Sequence, residues 1–184
     1  MEFPRLETAR LLLRQFALSD AADVQRLAGD RAIADTTLMI PHPYEDGMAE
    51  QWIGTHAPKF EAGEQMTLAM TLGEPGHLVG AVSLSIDARF DRAELGYWVG
   101  KHYWGRGYCT EASRAVVDWG FRELKLNRVF ATHFKRNPAS GRVMQKLGMT
   151  EEGCLRQHIK KWDRYDDLVI YGMTRSEWAG ARPA

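Results

Sequence analysis

Cysteine is scarce in this sequence. Cys109 and Cys154 are its two cysteines and stand far apart, which excludes a disulfide framework and any Cys-x-x-Cys redox or metal motif. Charge of one sign is not in excess, because 24 Lys and Arg meet 24 Asp and Glu. A chain without a net field has no general attraction to nucleic acid or an anionic membrane. Long hydrophobic runs are missing too, and none approaches the roughly 20 apolar residues that span a bilayer. The opening Met1-Glu2-Phe3-Pro4-Arg5 lacks the pattern of a secretory signal, so a cytoplasmic location is expected. The histidines (His42, His56, His77, His102, His133, His158) show no paired spacing on one helix face, and no metal is expected. Repeats, low-complexity segments and linkers are absent. What is there is 184 residues, 45% apolar and 26% charged, enough for one well-buried domain.

The pattern along the chain alternates helices and strands. Residues 8–14 read as an opening strand, and Ser19 as the N-cap of a helix that runs to Ala28 and stops at Gly29. Residues 30–43 have no periodicity and read as loop. A second helix is predicted over 45–57, with Pro58 ending it. Three strands at 65–72, 78–86 and 93–99 follow as an antiparallel meander, the first turn at Gly73-Glu74-Pro75-Gly76. A helix over 111–124 leads to a buried strand at 128–134. Asn137-Pro138 starts a helix that Gly148 stops. A strand pair at 152–161 and 168–174, with its turn at 163–167, closes the chain.

Between the strand at 93–99 and the next helix lies Trp104-Gly105-Arg106-Gly107-Tyr108-Cys109-Thr110-Glu111. Two glycines where a strand feeds a helix let the backbone approach a ligand closely. The unpaired N–H groups and dipole of the helix start favour an anion there. The loop therefore reads as a pyrophosphate seat and implies a nucleotide-bearing cofactor. Neither the Walker pattern nor the dinucleotide fingerprint fits. Cys109 at a helix start has the setting of an activated thiol, but it also suits a small-residue position in the loop.

This order of strand, Gly-x-Gly loop, helix, strand and Asn-led helix resembles the Gcn5-related N-acetyltransferase (GNAT) superfamily. The family's Gln/Arg-x-x-Gly-x-Gly/Ala pattern aligns with Trp104, Gly105, Arg106, Gly107, Tyr108 and Cys109, and Gly107 matches it strictly. Trp104 and Cys109 depart from it without disturbing a loop that works through backbone N–H groups. The resemblance is closer to the ribosomal-protein (RimJ/RimL-like) branch. It is carried by Thr8-Ala9-Arg10-Leu11-Leu12-Leu13-Arg14, Glu94-Leu95-Gly96-Tyr97-Trp98-Val99, Tyr103 through Ala112, Asn137-Pro138-Ala139-Ser140, Lys146-Leu147-Gly148-Met149, and Asp167, Tyr171, Glu177 and Trp178.

The resemblance implies a single α+β GNAT domain over 1–184. Its mixed, mostly antiparallel sheet would have about seven strands and about four flanking helices, splayed between the fourth and fifth strands. It implies acetyl-CoA as cosubstrate and direct attack by an amine through a tetrahedral intermediate. The pantetheine arm would pair with backbone near Trp98 and Val99, and pyrophosphate would meet the amides of Arg106, Gly107, Tyr108, Cys109 and Thr110. Asn137 and Ser140 would lie along the arm, while Arg106, Arg142 and Lys146 are candidates for phosphate contacts or plain surface. Glu94 is the candidate base and a backbone N–H near Val99 the oxyanion donor. Met144 stands where many relatives have the tyrosine that protonates the thiolate, which leaves Ser140 as the candidate acid, with Tyr103 and Tyr108 behind it.

An α-amine of pKa about 8 is roughly a tenth neutral at pH 7, and a lysine near 10.4 far less. One carboxylate therefore suits a protein N-terminus or a weakly basic small amine. Acceptor contacts are expected from residues 30–43, the second helix and residues 158–166. Trp162 and Tyr165 would either stack on the acceptor or cover core, and Asp163, Asp166 and Asp167 would attract a cation or, for Asp167, hold structure. The acceptor reads first as a protein N-terminus and second as a polyamine, amino acid or antibiotic amine. A non-catalytic CoA-binding module is the alternative from another class. A homodimer is the oligomer the family implies.

Overall fold

In the computed structural model, which describes residues 2–73 and 76–180, the strands form one eight-stranded sheet in the order β1-β2-β3-β4-β5-β6-β8-β7. Strand β1 (Leu6–Glu7) is a two-residue edge on β2 (Leu11–Arg14). The meander β3 (Gln65–Leu72), β4 (His77–Asp87) and β5 (Arg92–Val99) is antiparallel, as the alternation predicts. Glu74 and Pro75 of the predicted turn lie outside the described residues. Strand β6 (Arg128–Phe134) runs parallel to β5, and the hairpin β7 (Thr150–Lys161) and β8 (Arg164–Thr174) pairs with β6 through β8.

Side-chain alternation divides the sheet into two faces. Met66, Leu68, Val82, Leu84, Ala93 and Leu95 point to one face. There α5 (Tyr108–Arg122) buries Ala112, Val116 and Phe121, and α6 (Pro138–Leu147) buries Met144 and Leu147. Ala69, Ala81 and Trp98 point to the other face, beneath α1 (Ala21–Ala28) and α3 (Met48–Gly54). The short α7 (Arg175–Gly180) places Trp178 on Phe121 and its indole N–H on Asp118. Among the described residues no helix is long and apolar enough to cross a membrane.

The differences from the sequence reading are local. Ser19 is not an N-cap: it lies inside a 3-10 turn, Leu18–Asp20, and Asp20 organises the entry by accepting from Ala17 N and Arg14. Residues 30–43 are not all loop, because α2 (Arg31–Thr36) forms there, with the Asp30 carboxylate accepting from Ala32 N. Its one buried pair, Ile33 and Ala34, is too short a stripe to give a periodic signal. Pro58 does not end the second helix. The break falls at Thr55, and Pro58 sits in the first turn of α4 (His56–Glu61), where no helical N–H is needed. Helix α5 starts at Tyr108, three residues earlier than its apolar pattern shows, and the last hairpin turns at Trp162 and Asp163, so residues 164–167 are strand.

Candidate active site

The sheet opens where β5 meets β6. Backbone pairing holds Arg92, Ala93 and Glu94 against Arg128, Val129 and Phe130 and then stops. The β4–β5 register pairs Gly80 with Val99, and Gly100 N donates to Val79 O. In an antiparallel ladder of that register, Glu94, Gly96 and Trp98 turn their backbone groups to β4. Leu95, Tyr97 and Val99 turn theirs to the opening. The backbone that can pair with an extended ligand is therefore that of Tyr97 and Val99, and the expected contribution of Trp98 is corrected: its backbone is committed to β4. Trp104 Nε1 donates to Val99 O at 2.8 Å, so the indole takes that carbonyl and the Val99 N–H faces the gap.

The glycine loop has the predicted form. Gly105 and Gly107 have φ of +74° and +81°, a region where a side chain is strained. Gly107 is the N-cap of α5 and no side chain caps the helix. The amides of Tyr108, Cys109 and Thr110 have no carbonyl one turn back, which leaves unpaired donors at the positive end of the helix dipole. Arg106 is exposed with its guanidinium toward Tyr103, and Arg142 and Lys146 are exposed on α6. The Cys109 thiol is pushed up to about 12 by burial. A thiol kept protonated in this way is short of the thiolate that a nucleophile needs.

A clamp that the sequence reading missed fixes this loop. The Glu111 carboxylate accepts from Thr8 Oγ1 at 2.6 Å, Arg10 N at 2.8 Å and Arg10 Nε at 2.7 Å. Arg10 also donates to Arg106 O at 2.9 Å and lies over the Tyr108 ring. Desolvation by itself would raise the Glu111 pKa, but the bonds from Thr8 and Arg10 outweigh it and hold the carboxyl below its ordinary value. The partners are about a hundred residues apart in sequence, and only the fold brings them together.

On the other side of the opening, Asn137 caps α6, its side chain accepting from Ser140 N. Ser140 thereby faces β5, where its Oγ is 2.9 Å from Tyr97 Oη; the Tyr97 hydroxyl also donates to Ser140 O at 3.0 Å. Burial raises the Tyr97 pKa, so the phenol stays protonated. Tyr97 is thus a second hydroxyl beside the predicted Ser140. The alternation of β5 would have placed it on the helix-α5 face, but not against Ser140. Tyr103 and Tyr108 lie 6.4 Å apart, centroid to centroid, at the glycine loop, and Met144 is buried.

Glu94 is half-buried in the last pair of the ladder and accepts from Thr132 Oγ1 at 2.9 Å, two residues beyond its partner Phe130. It lines a cavity of about 580 Å³, together with Ser140, Tyr97 and His133. The cavity is roofed by α2, by the segment 37–41 and by Met48 and Trp52 of α3. Lys161 fastens this roof from the last hairpin, donating to Leu38 O at 3.1 Å and Ile40 O at 2.9 Å. Asp35 of α2 is bound by Arg136 and Arg164. Asp166 is consumed by the same two arginines, and Asp167 by Gln157 N and Lys135. Neither carboxylate is available to attract an amine. Trp162 and Tyr165 are exposed at the hairpin tip and cover no core.

The comparisons agree with this geometry. The family model described as an acetyltransferase (GNAT) domain matches residues 10–150. The uncharacterized N-acetyltransferase p20 of Bacillus licheniformis is 30% identical over 177 residues, spanning 95% of this chain and 98% of that one. YdaF of Bacillus subtilis, named as a candidate ribosomal N-acetyltransferase, is 36% identical over 108 residues, 58% of this chain and 59% of its own. A crystal structure of a GNAT-family acetyltransferase from Bacillus anthracis superposes with a TM-score of 0.83 at 25% identity, covering 95% of this chain and all of that one. The split sheet, the glycine-led helix start and the cavity beside them are parts of one design, and the chain belongs to the GNAT acetyltransferase family, whose acetyl donor is acetyl-CoA.

Proposed function

We propose that this acetyltransferase modifies a primary amine that enters the cavity beside Glu94, most favourably the α-amine of a protein or peptide N-terminus. The observation that carries the reading is the charge of the cavity: Glu94 is the one carboxylate among its described lining residues, and no Lys or Arg lines it. A polyamine would bring further cations with no counter-charge, and desolvating an unpaired ammonium is costly. A single α-amine, already partly neutral at pH 7, needs only one base. The similarity to YdaF supports the same choice.

Acetyl-CoA supplies an activated acetyl group as a thioester. The residues that would hold it are the first-turn amides of Tyr108, Cys109 and Thr110 at its pyrophosphate and the backbone of Tyr97 and Val99 along its arm. Glu94, oriented by Thr132, takes the proton of the amine directly or through water. The Val99 N–H faces the gap, where it can stabilise negative charge developing on the acetyl oxygen. The Ser140 hydroxyl, hydrogen-bonded to Tyr97, returns a proton to the departing thiolate. Because the two hydroxyls are coupled, either can supply it.

The test is acetyl transfer from acetyl-CoA to a panel of peptides with varied N-termini, small amines and polyamines, read by mass spectrometry. Acetylated N-termini with little polyamine turnover are expected. Turnover of polyamines alone overturns the reading. Ser140→Ala should lower kcat by about tenfold and Ser140→Ala with Tyr97→Phe by more, since the pair shares one task.

A further inference from the structure

The cavity floor carries a row of hydroxyls that the proposed chemistry does not use. Register places Gln65, Ser85 and Glu94 side by side across β3, β4 and β5, and Thr67, Ser83 and Gly96 in the row beside them. All six line the cavity. The hydroxyls descend from mouth to depth: Ser85 is exposed, Ser83 half-buried and Thr67 only 2% exposed. At the bottom, Thr67 Oγ1 has no hydrogen-bond partner among the described residues. A buried hydroxyl without a partner is unfavourable, and an apolar side chain would fill that position as well. Gly96 belongs to the same arrangement. A Cβ there would lie 2.9 Å from Ser83 Oγ, so a glycine keeps the floor open in front of that hydroxyl.

We infer that Thr67 and Ser83 form a subsite for a neutral hydroxyl on the acceptor, carried one row along the sheet from the amine that Glu94 receives, roughly 7 Å or more. The inference rests on the reading that the amine enters this cavity. A hydroxyl both donates and accepts, so it can satisfy Thr67 and Ser83 without bringing charge. A carboxylate or second ammonium would find no counter-ion among the described lining residues. An ethyl group of the same size would leave Thr67 unpartnered. The subsite therefore selects among amines by a hydrogen bond at the floor, while the apolar roof of Ile40, Met48 and Trp52 contributes contact without chemical discrimination.

The experiment compares kcat/KM for amines matched in size. One pair is 5-aminopentan-1-ol and hexylamine, and the other is peptides that begin with 6-hydroxynorleucine and with 2-aminoheptanoate, whose hydroxyls reach about 7 Å from the amine. Each is measured with the wild type, Thr67→Val and Ser83→Ala, and calorimetric affinities for the CoA-loaded protein give the same ratio where turnover is slow. The wild type should favour the hydroxyl-bearing member of each pair by roughly tenfold, and each substitution should bring that ratio close to one. A wild-type ratio of one overturns the inference. So does an equal loss on both members in the variants, which would make the floor a proton route or a packing element. Melting curves separate misfolding from lost selectivity. If only the small amines react, the N-terminal reading fails, yet the aminopentanol–hexylamine ratio still decides the subsite.

Discussion

The two halves of this active site are built in different ways. The donor side is made of backbone: two glycines, a bare helix start and the unpaired edge of β5 lie within one stretch, 95–110, and need few particular side chains. The acceptor side is made of side chains. Its cavity draws Thr67, Ser83, Glu94, Thr132 and Ser140 from four strands and a helix, under a roof tied down by Lys161 from the far end of the chain. A backbone seat can stay constant while the cavity wall changes with the acceptor. Donor binding common to a family belongs on the first side, and acceptor selectivity belongs on the second.

Substitutions on each side sharpen that division. The largest effect is expected at Glu94, where the sides meet: Glu94→Gln should lower kcat by about a hundredfold or more at pH 7, in steady-state assays with any amine the enzyme accepts. Next, Glu111→Gln breaks the clamp on the glycine loop. It should raise KM for acetyl-CoA by roughly tenfold and leave KM for the amine alone. Acetyl-pantetheine, which has no pyrophosphate, should be used equally well by the wild type and this variant. Lys161→Met should do the reverse, raising KM for the amine severalfold, on the order of one lost charge-assisted hydrogen bond, with KM for acetyl-CoA unchanged. If either variant moves both constants together, the two sides are one cooperative unit and the division is wrong.

The smallest effect concerns stability. His56 is 3% exposed, packed edge-on against Trp52, and its two ring nitrogens have no hydrogen-bond partner among the described residues. Desolvation, aided by Lys59, lowers its pKa to about 4. As pH falls below about 6.5, the unfolded chain takes up a proton that the folded one refuses, so the fold loses stability down to about pH 4. Tm measured across this window should fall more steeply in the wild type than in His56→Leu. Because Trp52 lines the acceptor cavity, the acceptor side should also loosen first in acid.

The same contrast explains what could be read from the sequence. The glycine loop, the Asn137 cap and the meander are signalled by contiguous residues, and each stands where the pattern puts it. Glu94 and Ser140 stand inside the motifs that carry the family resemblance, and the fold brings both to one cavity. Tyr97 carries no sequence signal as a proton donor, because its partner is contributed by α6 from 43 residues away. The clamp of Thr8 and Arg10 on Glu111 was hidden for the same reason. Asp166 and Asp167 misled: a cluster of carboxylates looks like an amine attractor until the arginines and the bulged backbone that consume it are seen. Helix α2 escaped because six residues with two buried positions show no period.

The most direct test of the account is the pH dependence of kcat/KM for a peptide N-terminal amine, with wild type and Glu94→Gln measured side by side. If Glu94 takes the proton, the variant's deficit should be largest near neutral pH and shrink above about pH 8, where the α-amine loses its proton unaided. Parallel profiles with a constant deficit, or no deficit at all, would contradict the assignment of Glu94 as the base and leave the cavity without its central group.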